Sequence, residues 1–64
     1  MANKEIQERI LRALENGPLY ITQIAKNTSL SKNTVGKYVE ILTESGKVGI
    51  VEFANTKMVH LNKR

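Results

Sequence analysis

The sequence predicts an α+β fold that is mainly helical. Three observations predict it. Apolar residues recur at helical spacing in two stretches, Ile6, Ile10 and Leu14, and Val35, Val39 and Leu42. Gly17-Pro18 and Gly46 interrupt the chain directly after those stretches. From Val48 the pattern changes to two runs of β-favouring residues around a short polar loop.

The first helix, α1, is expected from Lys4 to about Asn16. Asn3 can cap it, because its side-chain oxygen can accept from an unpaired first-turn N–H. Ile6, Ile10 and Leu14 form one apolar stripe, with Ala13 beside it and Leu11 at its margin. Glu5 with Arg9 and Glu8 with Arg12 sit one turn apart, acid first. Each pair is worth about 0.2–0.5 kcal/mol of helix support, and these charges read as a solvated face. Gly17 closes the helix and Pro18 cannot continue it.

Leu19, Tyr20 and Ile21 are β-favouring and form a short strand, β1, with Leu19 and Ile21 on one side and Tyr20 on the other. Tyr20 reads as a rim residue of the core. Thr22 is the expected N-cap of a brief helix, α2, ending near Asn27, with Ile24 and Ala25 on its buried side. Thr28, Ser29, Leu30 and Ser31 then form a turn with Leu30 as its apolar plug. Ser31 caps a longer helix, α3, from Lys32 to about Ser45. Val35, Val39 and Leu42 share its core face and Tyr38 flanks them, while Asn33 and Lys37 lie opposite. Ile41 falls on neither face. Gly46 stops α3 in a left-handed conformation.

The final hairpin spans about residues 47–61, with β2 ending at Phe53 and β3 running from Lys57 to Leu61. Ala54, Asn55 and Thr56 suit a three-residue loop, since Asn tolerates positive φ. Asn62, Lys63 and Arg64 read as a frayed basic tail.

The stretch from Ile21 to Val48 resembles the winged helix-turn-helix transcriptional regulators. The residues that carry the resemblance are Ile24-Ala25-Lys26, Leu30-Ser31-Lys32, Thr34-Val35, Val39, Leu42 and Glu44-Ser45-Gly46-Lys47-Val48. Ala25 is small where a bulky side chain would push α2 and α3 apart. The pattern covers almost the whole chain and implies the order α1-β1-α2-α3-β2-β3, with a helix-turn-helix over about residues 22–45, a wing over about 47–61, and β1 pairing with the wing. It specifies no particular DNA sequence.

Composition sets further bounds. With 64 residues and no cysteine, the chain reads as one domain close to the lower limit for folding on an apolar core alone. Apolar content of 41% argues against disorder. No apolar run is long enough to span a bilayer, and the charged first sixteen residues exclude a secretory signal, so the expectation is a cytoplasmic protein. The net charge of +4 is unevenly placed. Residues 1–16 balance three basic against three acidic side chains, whereas residues 17–64 hold seven against three. The excess lies in the half that would face phosphates.

The resemblance implies sequence-specific binding of double-stranded DNA, with the first turns of α3 in the major groove. Those turns offer Ser31, Lys32, Asn33, Thr34, Gly36 and Lys37. Asn33 has the amide that pairs with an adenine edge, Lys37 reaches a guanine or a phosphate, and Thr34 suits a thymine methyl or a phosphate. Gly36 costs roughly 0.5–1 kcal/mol inside a helix, which close approach of DNA or of another helix would offset. Lys26, Ser29 and Ser31 suit phosphates near helix N-termini, and Asn55, Thr56 and Lys57 suit the DNA backbone or minor groove at the wing tip. Glu40 and Glu44 would repel phosphate further along α3.

His60 stands without His, Cys or Asp partners, so it reads as a strand surface residue and no metal site or cofactor is expected. No nucleophile with a base, phosphate-binding glycine loop or carboxylate pair is present, so the chain reads as a non-enzyme. A chain of 64 residues leaves no room for a separate effector domain, so no small-molecule effector is expected and control would come from its own concentration or from a partner. A homodimer is expected, through Leu11, Tyr20 and Ile41 or through a wing face with Ile50, Phe53 and Met58. The alternative is a winged-helix protein-interaction module, which predicts an apolar or acidic α3 surface. RNA binding is a third reading, against which stands the lack of an aromatic stacking platform.

Overall fold

In the computed structural model, which describes residues 3–62, the order is α1 (Lys4–Ala13), β1 (Leu19–Tyr20), α2 (Ile21–Thr28), α3 (Lys32–Glu44), β2 (Val48–Phe53) and β3 (Thr56–Leu61). The three strands form one antiparallel sheet in the order β1-β3-β2. This is the winged helix-turn-helix arrangement expected from the sequence. The fraying predicted for Lys63 and Arg64 lies outside the described residues.

Asn3 caps α1 as predicted, its Oδ1 accepting from the N–H of Glu5 at 2.8 Å and of Ile6 at 3.2 Å. The last predicted turn, Leu14–Asn16, tightens into a 3₁₀ helix before Gly17. The two ends of α2 differ from expectation. It begins at Ile21, so β1 is one residue shorter and Thr22 lies inside the helix, not at its cap. Tyr20 takes the cap position, and Gln23 Oε1 accepts from its N–H at 3.0 Å. At the other end Thr28 belongs to the helix, because its buried hydroxyl donates back to the Ile24 carbonyl at 2.7 Å. Ser29 then turns the chain with φ of 61°, and the Leu30 N–H donates to the Ala25 carbonyl at 3.0 Å.

Ile10, Leu14, Ile24, Ala25, Val35, Val39, Leu42, Val48 and Val59 form the buried core, with Leu30 and Tyr38 packed at its margin. Every helix and both long strands contribute, so α3 is anchored along its inner face. Burying each large apolar side chain is worth about 1.5–3 kcal/mol, which is how so short a chain holds α3 in place. Gly46 follows α3 with φ of +83°, as the left-handed stop requires.

The wing turn is tighter than predicted. Phe53 pairs with Thr56, leaving a two-residue loop of Ala54 and Asn55, both at positive φ (51° and 67°). That is the primed turn whose twist matches the strands, so Thr56 joins β3 instead of the loop. Asn62 is not frayed: its N–H donates to the Lys47 carbonyl at 3.0 Å and its Nδ2 to the Gly46 carbonyl at 3.1 Å.

Candidate nucleic-acid interface

The exposed start of α3 is built on Ser31. Its Oγ accepts from the Thr34 N–H at 3.1 Å and its hydroxyl donates to Thr34 Oγ1 at 2.9 Å. Thr34 is thereby held half-buried beside the exposed cap. Lys32, Asn33 and Lys37 are exposed on the side away from Val35, Val39 and Leu42. Between Asn33 and Lys37 lies Gly36, and a Cβ built there would meet no atom within 4 Å. Among the described residues, no other helix comes within 4 Å of that Cβ position. The surface there is open, flanked by two amines and an amide. Glu40 and Glu44, also exposed, limit the basic stretch to the first half of the helix.

The three residues assigned to helix N-termini separate in the structure. Only Ser31 sits at one. Lys26 is in the last turn of α2 and exposed, and Ser29 is the C-terminal cap of that helix, its N–H donating to the Ala25 carbonyl. Ser29 instead lines a cleft with Asn27 and with Arg9 and Arg12 of α1. The helical spacing alone puts those arginines on a plain solvated face, whereas the fold brings them to this cleft.

Asn55, Thr56 and Lys57 are exposed at the wing tip, where they line a second cleft together with Tyr20, Ile21 and Thr22. The wing tip therefore lies against the first turn of α2. The Tyr20 N–H at this helix start is taken up by Gln23 Oε1 at 3.0 Å. Thr22 is the residue that sequence reasoning missed here. The available signal was Gln23, three residues after Tyr20, which marks the helix start two positions before the one assigned.

His60 is half-buried and lies across the sheet. Its Nε2 is 2.7 Å from where a Cβ on Gly49 would stand, and its Nδ1 is 3.1 Å from the Leu61 carbonyl oxygen. Gly49, paired with His60 in the ladder, makes room for the ring. Among the described residues no three His, Cys, Asp or Glu side chains are grouped to hold a metal ion, and no helix is long and apolar enough to cross a membrane.

The wing face proposed from sequence divides in two. Ile50 pairs with Val59, which is buried, so it lies on the inner side of the sheet. Phe53 and Met58 lie on the outer side with Val51 and Tyr20, since Val51 and Tyr20 both pair with Met58. Leu11 is partly buried against the core, whereas Tyr20 keeps 37% of its surface exposed.

Comparison with known proteins fits this geometry. No curated protein matches the chain. The transcriptional regulator HlyU from Vibrio vulnificus CMCP6 superposes with a TM-score of 0.88 at 26% identity, covering 100% of this chain and 66% of that one. The Zalpha domain of PKZ from Carassius auratus, in complex with Z-DNA, superposes with a TM-score of 0.83 at 25% identity, covering 91% and 94%. The adhesin competence repressor AdcR from Streptococcus pyogenes shares the fold, with a TM-score of 0.87 at 22% identity over 94% and 47%. The chain thus spans about half of AdcR and two thirds of HlyU. Its residues 4–51 match the family described as "Bacterial regulatory protein, arsR family". Because that match runs from the first helix into the wing, over well more than half of the chain, the chain belongs to the arsR family of bacterial regulatory proteins, which are winged helix-turn-helix DNA-binding transcriptional regulators.

Proposed function

We propose that this chain binds double-stranded DNA sequence-specifically through the first two turns of α3 and regulates transcription by doing so. The observation that carries the reading is the surface around Gly36: open, polar and flanked by Lys32, Asn33 and Lys37 on a helix whose opposite side is fixed in the core. A major groove accepts such a helix, and amide and ammonium groups read its base edges. Thr34 and Ser31 bind phosphate beside the helix start, and Lys26 adds a cation on the neighbouring helix. The wing tip, with Asn55, Thr56 and Lys57, holds a second phosphate beside the first turn of α2, where the helix dipole favours an anion.

The chain works by binding and not by catalysis, in the cytoplasm, without a small-molecule effector of its own. Its level, or a protein partner, sets its occupancy of DNA. It acts as a homodimer reading half-sites about 34–36 Å apart. A molecule of 32 × 27 × 20 Å is of the right size for two copies to sit side by side at that spacing.

Fluorescence anisotropy with a random-sequence duplex pool at two salt concentrations tests the reading, followed by selection of the preferred site. Single-stranded DNA and duplex RNA are controls, and a left-handed duplex is a third because the Zalpha domain shares the fold. Duplex affinity that falls steeply with salt, with enrichment of one sequence, is the expected result. Absence of duplex binding at low salt would overturn it and direct the search to a protein partner.

A further inference from the structure

Two clefts lie at opposite ends of α2. At its first turn Ile21 and Thr22 meet the wing tip. At its last turn Asn27, Thr28 and Ser29 face α1 across a cleft whose other wall is Arg9, Arg12 and Ala13. Its volume of about 550 Å³ leaves room for a phosphodiester group. Thr28 forms the floor, buried and with its hydroxyl donating to the Ile24 carbonyl. Arg9, Arg12, Asn27 and Ser29 are exposed at the rim. Arg9 and Arg12 are three residues apart on a helix, so both guanidiniums share one face. Lys26 adds a third cation in the same last turn of α2. The carbonyl end of α2 carries only about half a negative charge, which three cations outweigh. Glu5 and Glu8 line a separate hollow with the same two arginines. A guanidinium has five donors in a planar fork, so it can keep a carboxylate on one side and bind phosphate on the other.

We propose that this cleft holds a backbone phosphate of the duplex whose major groove α3 enters, with Arg9 and Arg12 as its ligands. The inference rests on the duplex-binding reading above and adds α1 to the contact surface. Ser29 lies three residues before Lys32, so the cleft is no more than about 11 Å along the chain from the start of α3. The eight residues of α2 separate its two clefts by about 10–12 Å. The major groove is about 12 Å wide, and a helix-turn-helix lays its first helix across the DNA backbone. A phosphate held at each end of α2 therefore belongs to each of the two strands that bound the groove. With one contact, at the wing, the protein can rock about it. With the second, the depth and angle of α3 in the groove are fixed. Arg9 and Arg12 are thus positioning residues, since phosphate contacts set register and orientation without reading bases.

The test is Arg9→Gln combined with Arg12→Gln, with Lys47→Gln as a control beyond the C-terminal end of α3. Both arginines are exposed, and circular dichroism checks that the variant is folded. Should the double variant fail to fold, the two single variants carry the test. Anisotropy over a salt series is expected to show duplex affinity about tenfold lower at low salt. The slope of log affinity against log salt should flatten by about one unit, the value for one phosphate contact. Lys47→Gln should leave the slope unchanged. Arg9→Lys with Arg12→Lys should retain it, and selected sequences should be the same for all. Single uncharged methylphosphonates placed along the selected site then locate the contact. One position on the strand away from the wing should weaken binding of the unmodified chain and not of the glutamine variant. Unchanged affinity and slope in the glutamine variant, or an equal loss in Lys47→Gln, overturns the α1 contact and leaves duplex binding standing. A chain that binds no duplex at low salt overturns both.

Discussion

The Tyr38 hydroxyl accepts a hydrogen bond from the Asn3 backbone N–H at 3.0 Å, joining residues 35 positions apart. One comes from the flank of α3 and the other is the cap of α1. Asn3 thus caps α1 with its side chain and is held by α3 through its main chain. This bond ties the flank of α3 to the start of α1. Tyr38→Phe keeps the packing and removes the bond. The expected cost is about 0.5–1.5 kcal/mol, toward the low end because the contact is exposed. Chemical denaturation measures the loss, and duplex affinity should fall by less than for Lys37→Ala.

Gly36→Ala separates stability from binding. A Cβ at this position meets nothing within 4 Å, so the helix gains about 0.5–1 kcal/mol from the better helix former. If DNA approaches the helix there, the methyl group occupies its space. The melting temperature should therefore rise while duplex affinity falls several-fold. A rise in both would remove Gly36 from the interface.

Much of the fold was legible because helical spacing and punctuation agreed. Ile10, Leu14, Val35, Val39 and Leu42 were placed in the core by their period, and each is buried. Asn3, Ser31 and Gly46 marked ends by local chemistry that needs no distant contact. The start of α2 was misplaced because Thr22 is a good cap by type, yet Gln23 satisfies the Tyr20 N–H and lets the helix begin sooner. The wing turn was misjudged since Ala54 is an unusual residue at positive φ, so only Asn55 had signalled it. Grouping Ile50 with Phe53 was an error of parity: three residues apart on a strand, they face opposite ways. The polar start of α3 was visible from the sequence, but the place of Ser29 beside Arg9 and Arg12, and of Thr22 beside Lys57, depends on packing between distant segments.

The turn itself yields a stabilising change. Ala54 holds φ of 51°, a left-handed conformation that costs an ordinary side chain roughly 1–2 kcal/mol. Asparagine is favoured at this position of a primed two-residue turn. Ala54→Asn should stabilise the protein by about 0.5–1 kcal/mol, read as a higher denaturation midpoint with unchanged slope. Loss of stability would mean that Ala54 makes a contact its exposure does not suggest.

Charge along α3 changes sign after its second turn, with Lys32 and Lys37 before Glu40 and Glu44. A DNA backbone meeting the first half of the helix but approaching the second makes opposite demands on neighbouring residues. Lys37→Ala should lower duplex affinity and, if the amine contacts a phosphate, reduce the salt slope by about one unit. Glu40→Gln removes a carboxylate one turn on, leaves the core untouched because Glu40 is exposed, and should raise affinity for all duplexes alike. Asn33→Ala should instead relax sequence preference at one base pair while leaving the salt slope unchanged, since an amide carries no charge to release counterions. Anisotropy titrations of the three variants over a salt series distinguish these effects. An unchanged affinity for Lys37→Ala together with Asn33→Ala would place the reading surface somewhere other than the start of α3.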